Sequence, residues 1–358
     1  MFLSGLACVI ALAGARAPAA DVKSARVYVD AVHDLNEKHA RAPGKETEEE
    51  LAKKLPPAAQ KALDALLAEK PSAGLTQALR ECSEAALDLD RLEDFQKIRA
   101  RLAKDMPAEA QQLETALSRP RFLLRGVGGL DEAYLKGFAE VVDGVLAAYE
   151  EVFCFAEFSK VPGKKLRLRL HKVEQITDPP HFAPEFPYHS EIDFPVVDAQ
   201  KLASPTADGK FLFYGLCHEL GHVIAMWGSP GDEEDHHAWA HYCGVTIVEH
   251  MSERKDAPAW MKDLRDSKWR SLAIEREGAR NVKPGLEKKE NVMALLVALH
   301  DQVGAKAVGA AINALDAQDE RLRVNRVRYY KFAELKEALL AGTAKDKEKR
   351  KAAEELLP

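Results

Sequence analysis

Apolar residues between Asp21 and about Arg119 recur three and four apart, as in Leu63, Leu66 and Leu67, then Leu75 and Leu79, then Ala86 and Leu89. That spacing predicts amphipathic helices. Pro56-Pro57 and Pro71 break the stretch into short helices, and Pro107 starts another. From about Pro120 the period changes. Arg121 to Arg125 is a strand candidate, Gly126 to Gly129 form a turn, and Asp131 caps a helix through Tyr149 and Val152. The run KKLRLRLHK (Lys164 to Lys172) alternates with period two, placing Leu166, Leu168 and Leu170 on one face of a strand. A proline-rich connection follows (Pro179, Pro180, Pro184, Pro187), then a further, exposed strand over Tyr188 to Val197. Helical patterns resume at FLFYGLCHELGHVIAMWG, from Phe211, and continue from Asp232 through Asn291 to Leu315 and Phe332 to Leu340. Lys345 to Lys351 is a charge run at a solvated helix end. The pattern predicts an α+β, predominantly helical chain: an α-helical region over 21–119, a mixed domain over 120–345 and a charged tail over 346–358.

Composition narrows the partners. The 51 Lys and Arg against 57 Asp and Glu give a net charge of −6, with the two signs interspersed. A nucleic-acid partner, which needs a basic stripe, is not expected. Residues 1–20 read as a signal peptide, with an apolar stretch from Phe2 to Ala13 and small-residue cleavage options near Ala17 to Ala20. Its basic leading segment is missing. The expectation is a secreted or periplasmic protein with no integral membrane segment after signal removal. Beyond it, Cys82, Cys154, Cys217 and Cys243 fit no CxxC zinc knuckle and read as buried thiols, with one disulfide open to them if the compartment is oxidising.

The chemistry gathers at His218-Glu219-Leu220-Gly221-His222. Residues four apart share a helix face, so His218 and His222 present two imidazoles, good zinc ligands, to one point. Glu219 sits at the edge of that face, where it can take a proton from a water that zinc has acidified to a pKa of about 7. Phe213, Leu216, Leu220, Val223 and Trp227 form the opposite, core-facing stripe. Gly228 and Pro230 stop the helix. Gly221 allows close approach of backbone or substrate.

Catalytic zinc takes three protein ligands. A third ligand within the same motif is excluded by Ala225 and Gly228, so it comes from the following helix, DEEDHHAWAHYCGVTIVEHM. Asp232 with Asp235 forms a capping-box-like start, and Glu233, Glu234 and Asp235 suit the helix dipole. His237, Glu234, Asp235 and, further along, Glu249 are the ligand options. His241, one turn past His237, is a candidate to orient a ligand or the water. His236 reads as a surface residue.

At these residues the chain resembles the gluzincin (peptidase-MA-like) zincins, whose HExxH helix is followed by a ligand-bearing helix. Trp239-Ala240-His241-Tyr242 matches the Trp-Ala-x-Tyr portion of their pattern, and His237 stands where they commonly carry Glu. The resemblance, over about Pro120 to Leu340, implies a small sheet with an edge strand beside the zinc, for which Tyr188 to Val197 is the candidate. It also implies an oxyanion-stabilising side chain from the helical C-terminal half, with Tyr330 or Tyr329 as candidates. The expected function is a zinc metallopeptidase acting on peptide or protein substrates, with Glu219 as general base. The alternatives are a zincin-fold binding or structural protein without proteolytic activity, and a zinc hydrolase of non-peptide amides or esters.

Overall fold

The computed structural model describes residues 19–41, 46–105, 107, 110, 114–155, 163–176, 179–183, 191–197, 204–224, 233–267, 289–318 and 332–357. The chain is α+β and predominantly helical. It divides into two compact units, Met1–Asp34 with Lys54–Ala110, and Leu35–Lys53 with Gln111–Pro358.

Helix α1 (Ala19–Arg41) buries Ala25, Tyr28 and Val32 at helical spacing. Helix α2 (Glu48–Ala52) falls in the second unit and opens with a capping box between Thr47 and Glu50. Pro57 begins α3 (Pro57–Ala68), and Ser72, just after Pro71, caps α4 (Ala73–Asp88), so the expected proline breaks are helix starts. Helix α5 (Leu92–Asp105) buries Phe95, Ile98 and Leu102. In the first unit Asp94, 1% exposed, accepts hydrogen bonds from the Tyr28 hydroxyl (3.0 Å) and Arg91 Nε (2.5 Å). Burial, then the Asp94 charge, holds the Tyr28 hydroxyl protonated far above the usual phenol range. Around Asp94, buried polar groups are satisfied by one another.

The second unit is built on a five-stranded sheet: β1 (Thr115–Ser118), β2 (Phe122–Val127), β3 (Leu166–Lys172), β4 (His181–Ala183) and β5 (Glu191–Val196), in the order β1-β2-β3-β5-β4. The inner three strands are parallel and the outer pairings antiparallel. Strand β1 falls inside the stretch expected to be helical. A tight reversal after it, with Arg119 N donating to Phe122 O at 2.8 Å, folds it back onto β2, and the pairing overrides local helix preference. The strand expected to be exposed over Tyr188 to Val197 is β5, and it is interior. It is hydrogen-bonded to β3 on one side and β4 on the other, and Ile192, Phe194 and Val196 are buried. The edge on that side is β4, only three residues long, inside the proline-rich connection where no alternation could announce it.

Helix α6 (Glu132–Phe153), capped by Asp131 as expected, connects parallel β2 and β3 and covers the sheet's apolar face. Its Phe138 meets Phe194 of β5 edge-to-face at 5.4 Å. Helices α7 (Ala207–Ile224) and α8 (Glu233–Ser252) pack together, α8 against α6, and α7 against β4. The helix expected over Asn291 to Leu315 is two, α9 (Lys289–Gln302) and α10 (Ala305–Gln318), separated at Gly304. After α11 (Phe332–Gly342), the terminal charge run is the outer side of an amphipathic helix, α12 (Lys347–Leu356). Asp346 caps it, and Ala352, Ala353 and Leu357 are buried.

The other face of the sheet is charged. Arg167 on β3, 1% exposed, pairs with Glu48 of α2, and Lys164 Nζ lies 3.4 Å from the same carboxylate. Lys165 N donates to Glu48 Oε2 at 3.0 Å, and Lys164 also donates to Asn36. Burial alone would raise the Glu48 pKa, but Arg167 and then Lys164 outweigh it and hold the carboxyl below its ordinary value.

Candidate metal centre

The sequence of α7 explains its placement. Phe213, Leu216, Leu220 and Val223 are buried as the expected stripe, which turns His218 and His222 toward α8; Trp227 lies outside the described residues. Nε2 of His222 lies 3.1 Å from Nε2 of His218. From the beginning of α8 comes His237, its ring centroid 4.8 Å from that of His222 and 6.0 Å from that of His218. One donor atom from each of the three lies within 4.8 Å of the others. Among the described residues this is the one group of three His, Cys, Asp or Glu donors that close together.

The donor set suits zinc. A tetrahedral ion with Zn–N bonds of about 2.0–2.1 Å sets its ligand nitrogens roughly 3.3 Å apart. The His218–His222 pair already has that spacing, and His237 brings its donor atom within 4.8 Å of both. Glu219 is 7% exposed, and its Oε1 lies 3.9 Å from His218 Nε2, beside the three nitrogens but not among them. The thiols nearby are poor competitors. Burial pushes Cys217 and Cys243 well above the usual thiol range, which keeps them protonated and uncharged. Cys82, Cys154, Cys217 and Cys243 are all free.

Other site candidates fall elsewhere. Glu249 faces His300 at 3.8 Å, well along α8 from the histidines. Glu234 and Asp235 lie in the first turn of α8, but their side chains, that of His236, and all of Asp232, Tyr329 and Tyr330 lie outside the described residues. His241 sits beside the cluster, its ring 6.2 Å from that of His218, and its Nδ1 is hydrogen-bonded to the Tyr214 hydroxyl. Sequence reasoning passed over Tyr214, although its place one turn before His218 put it on the same face. It also passed over Tyr149 of α6, whose hydroxyl donates to the backbone carbonyl of Cys217. Burial, then Cys243 and Cys217, keeps the Tyr149 hydroxyl protonated, so it fixes α7 next to the first histidine as a donor.

At Gly221 the backbones of α7 and α8 come into close contact. A Cβ there would stand 2.8 Å from Ala240 Cα, 3.0 Å from Cys243 Cβ and 3.1 Å from Ala240 O. The close approach anticipated at this glycine is therefore that of the next helix backbone. Gly221→Ala must push apart the two helices that carry the histidines. We expect it to cost about 1–3 kcal/mol of stability and to weaken zinc binding as His237 moves away. Titration with a competing chelator and thermal unfolding check this; unchanged zinc affinity would exclude the helix contact as what sets the cluster geometry.

No protein-family model matches the chain, and no curated protein matches it.

Proposed function

We propose that the chain is a zinc metallopeptidase of gluzincin-like architecture, with His218, His222 and His237 as the metal ligands and Glu219 as the general base. The observation that carries this reading is the convergence of three imidazole nitrogens from two helices beside one buried carboxylate. Bound zinc would polarise the scissile carbonyl and acidify the attacking water to a pKa of about 7. Glu219 takes the proton from that water and passes it to the leaving amine. His241, held through Nδ1 by Tyr214, keeps a fixed ring orientation next to His218.

Two features favour a hydrolase of peptides over the alternatives. A purely structural metal site has no use for a carboxylate held beside its ligands, as Glu219 is. The short edge strand β4 packs on α7, so an extended chain adding to that edge runs alongside the helix that carries the histidines.

Wild-type protein purified without chelator is expected to carry one zinc per chain and to cleave members of a mixed peptide library. His237→Ala is expected to lose the metal and Glu234→Ala to retain it. Zinc-free wild type overturns the reading. Loss of metal by Glu234→Ala but not by His237→Ala transfers the third ligand to the acidic turn.

A further inference from the structure

Phe211 is the exposed large hydrophobic side chain of the second unit among the described residues, at 44% accessibility. Its neighbours Leu212, Phe213 and Leu216 are fully buried. At 100° per residue, positions 211, 218 and 222 point within about 20° of one direction. Phe211 therefore stands on the face of α7 that bears the two motif histidines, in solvent rather than in the core.

A second observation ties this face to the sheet edge. A Cβ on Gly215, one turn after Phe211, would come within 2.9 Å of Pro180 Cγ. The glycine lets the segment that begins β4 lie directly against α7, between Phe211 and the histidines in the order of the helix. The segment that begins β4 and the exposed phenyl ring thus both lie on the side of α7 that carries the imidazoles.

From this placement we infer that Phe211 is a specificity residue, contacting an apolar side chain of an extended peptide about three to five residues from the scissile bond. The offset follows from helix and strand geometry. Seven to eleven residues of helix at 1.5 Å each separate Phe211 from His218 and His222 by about 10–16 Å, and an extended peptide advances about 3.3 Å per residue. The ring would lose its exposed apolar surface to such a side chain, which favours binding. The inference rests on the peptidase reading above.

The test is a position-resolved peptide library cleaved by wild type, Phe211→Ser and Phe211→Leu, with zinc content, KM and kcat measured for each. Wild type is expected to prefer apolar residues at one position about three to five residues from the cleaved bond. Phe211→Ser should flatten that preference on the order of 10-fold, through KM, with kcat and zinc unchanged, and Phe211→Leu should keep most of it. A wild type without the preference, or a Phe211→Ser that retains it, overturns the inference. So does loss of zinc in both variants, which would make Phe211 a packing residue. Failure of wild type to cleave any peptide is a different result, and it strikes the peptidase reading itself.

Discussion

Glu219→Gln is expected to lower peptide cleavage by about 10²–10⁴-fold, the usual contribution of a general base, while leaving one zinc per chain. The reason lies in the division of labour at the cluster. The three nitrogens that close together belong to His218, His222 and His237, and Glu219 is not among them. Its carboxylate lies 3.9 Å from His218 Nε2, near enough to serve a water at the site. Glutamine keeps the size of the side chain, so the helix packing around this buried position should persist. It cannot accept a proton at neutral pH, so the rate should fall through kcat. Metal analysis and single-turnover cleavage separate the two effects. Full activity in Glu219→Gln removes the residue from the chemistry, whereas loss of zinc makes it part of the metal site. His222→Ala provides the contrast, since it should remove metal and activity together.

Glu48→Ala should destabilise the second unit by about 3–5 kcal/mol, the range for breaking a buried ion pair from one side. Glu48, Lys164 and Arg167 are each only 1% exposed at the side chain, and deleting the carboxylate leaves two buried cations facing each other. Whole domains are stable by about 5–15 kcal/mol, so the loss is large. All four tryptophans, Trp227, Trp239, Trp260 and Trp269, belong to the second unit, so their fluorescence during urea unfolding reports that unit alone. The same carboxyl adds a pH dependence. It is held below its ordinary value, so the unfolded chain binds its proton first as the pH drops. Its stabilisation is complete above the unfolded value of about 4.3 and is lost as pH falls through the folded value. Glu48→Gln should flatten that acid limb, and an unaltered limb would show that other carboxylates govern it.

Local pattern was enough for much of the fold. Strict alternation in KKLRLRLHK marked β3, Asp131 marked the start of α6, and the prolines at 57 and 71 marked helix boundaries, because each acts through its own backbone or its nearest neighbours. At the site, the four-residue spacing of His218 and His222 and the buried stripe behind them belong to one helix and could be read from it. Elsewhere pattern misled. Strand β1 exists through its partner β2, and the interior position of β5 depends on β4, three residues without a periodicity of their own. The charge run Lys345 to Lys351 is solvated as expected, but the burial of Ala352, Ala353 and Leu357 just beyond it gave little hydrophobic signal.

The HExxH helix, its two convergent imidazoles and the carboxylate beside them follow from local spacing, because a 3.6-residue period converts spacing into direction without help from the rest of the chain. The packing of α8 on α7 is what brings His237 to them. His237 reaches the pair because Gly221 lets α7 and α8 approach to backbone contact, and that contact joins residues from two helices whose distance no local spacing encodes. The same holds for the Tyr214–His241 hydrogen bond, for Pro180 seated on Gly215, and for Glu48 buried between cations more than a hundred residues away.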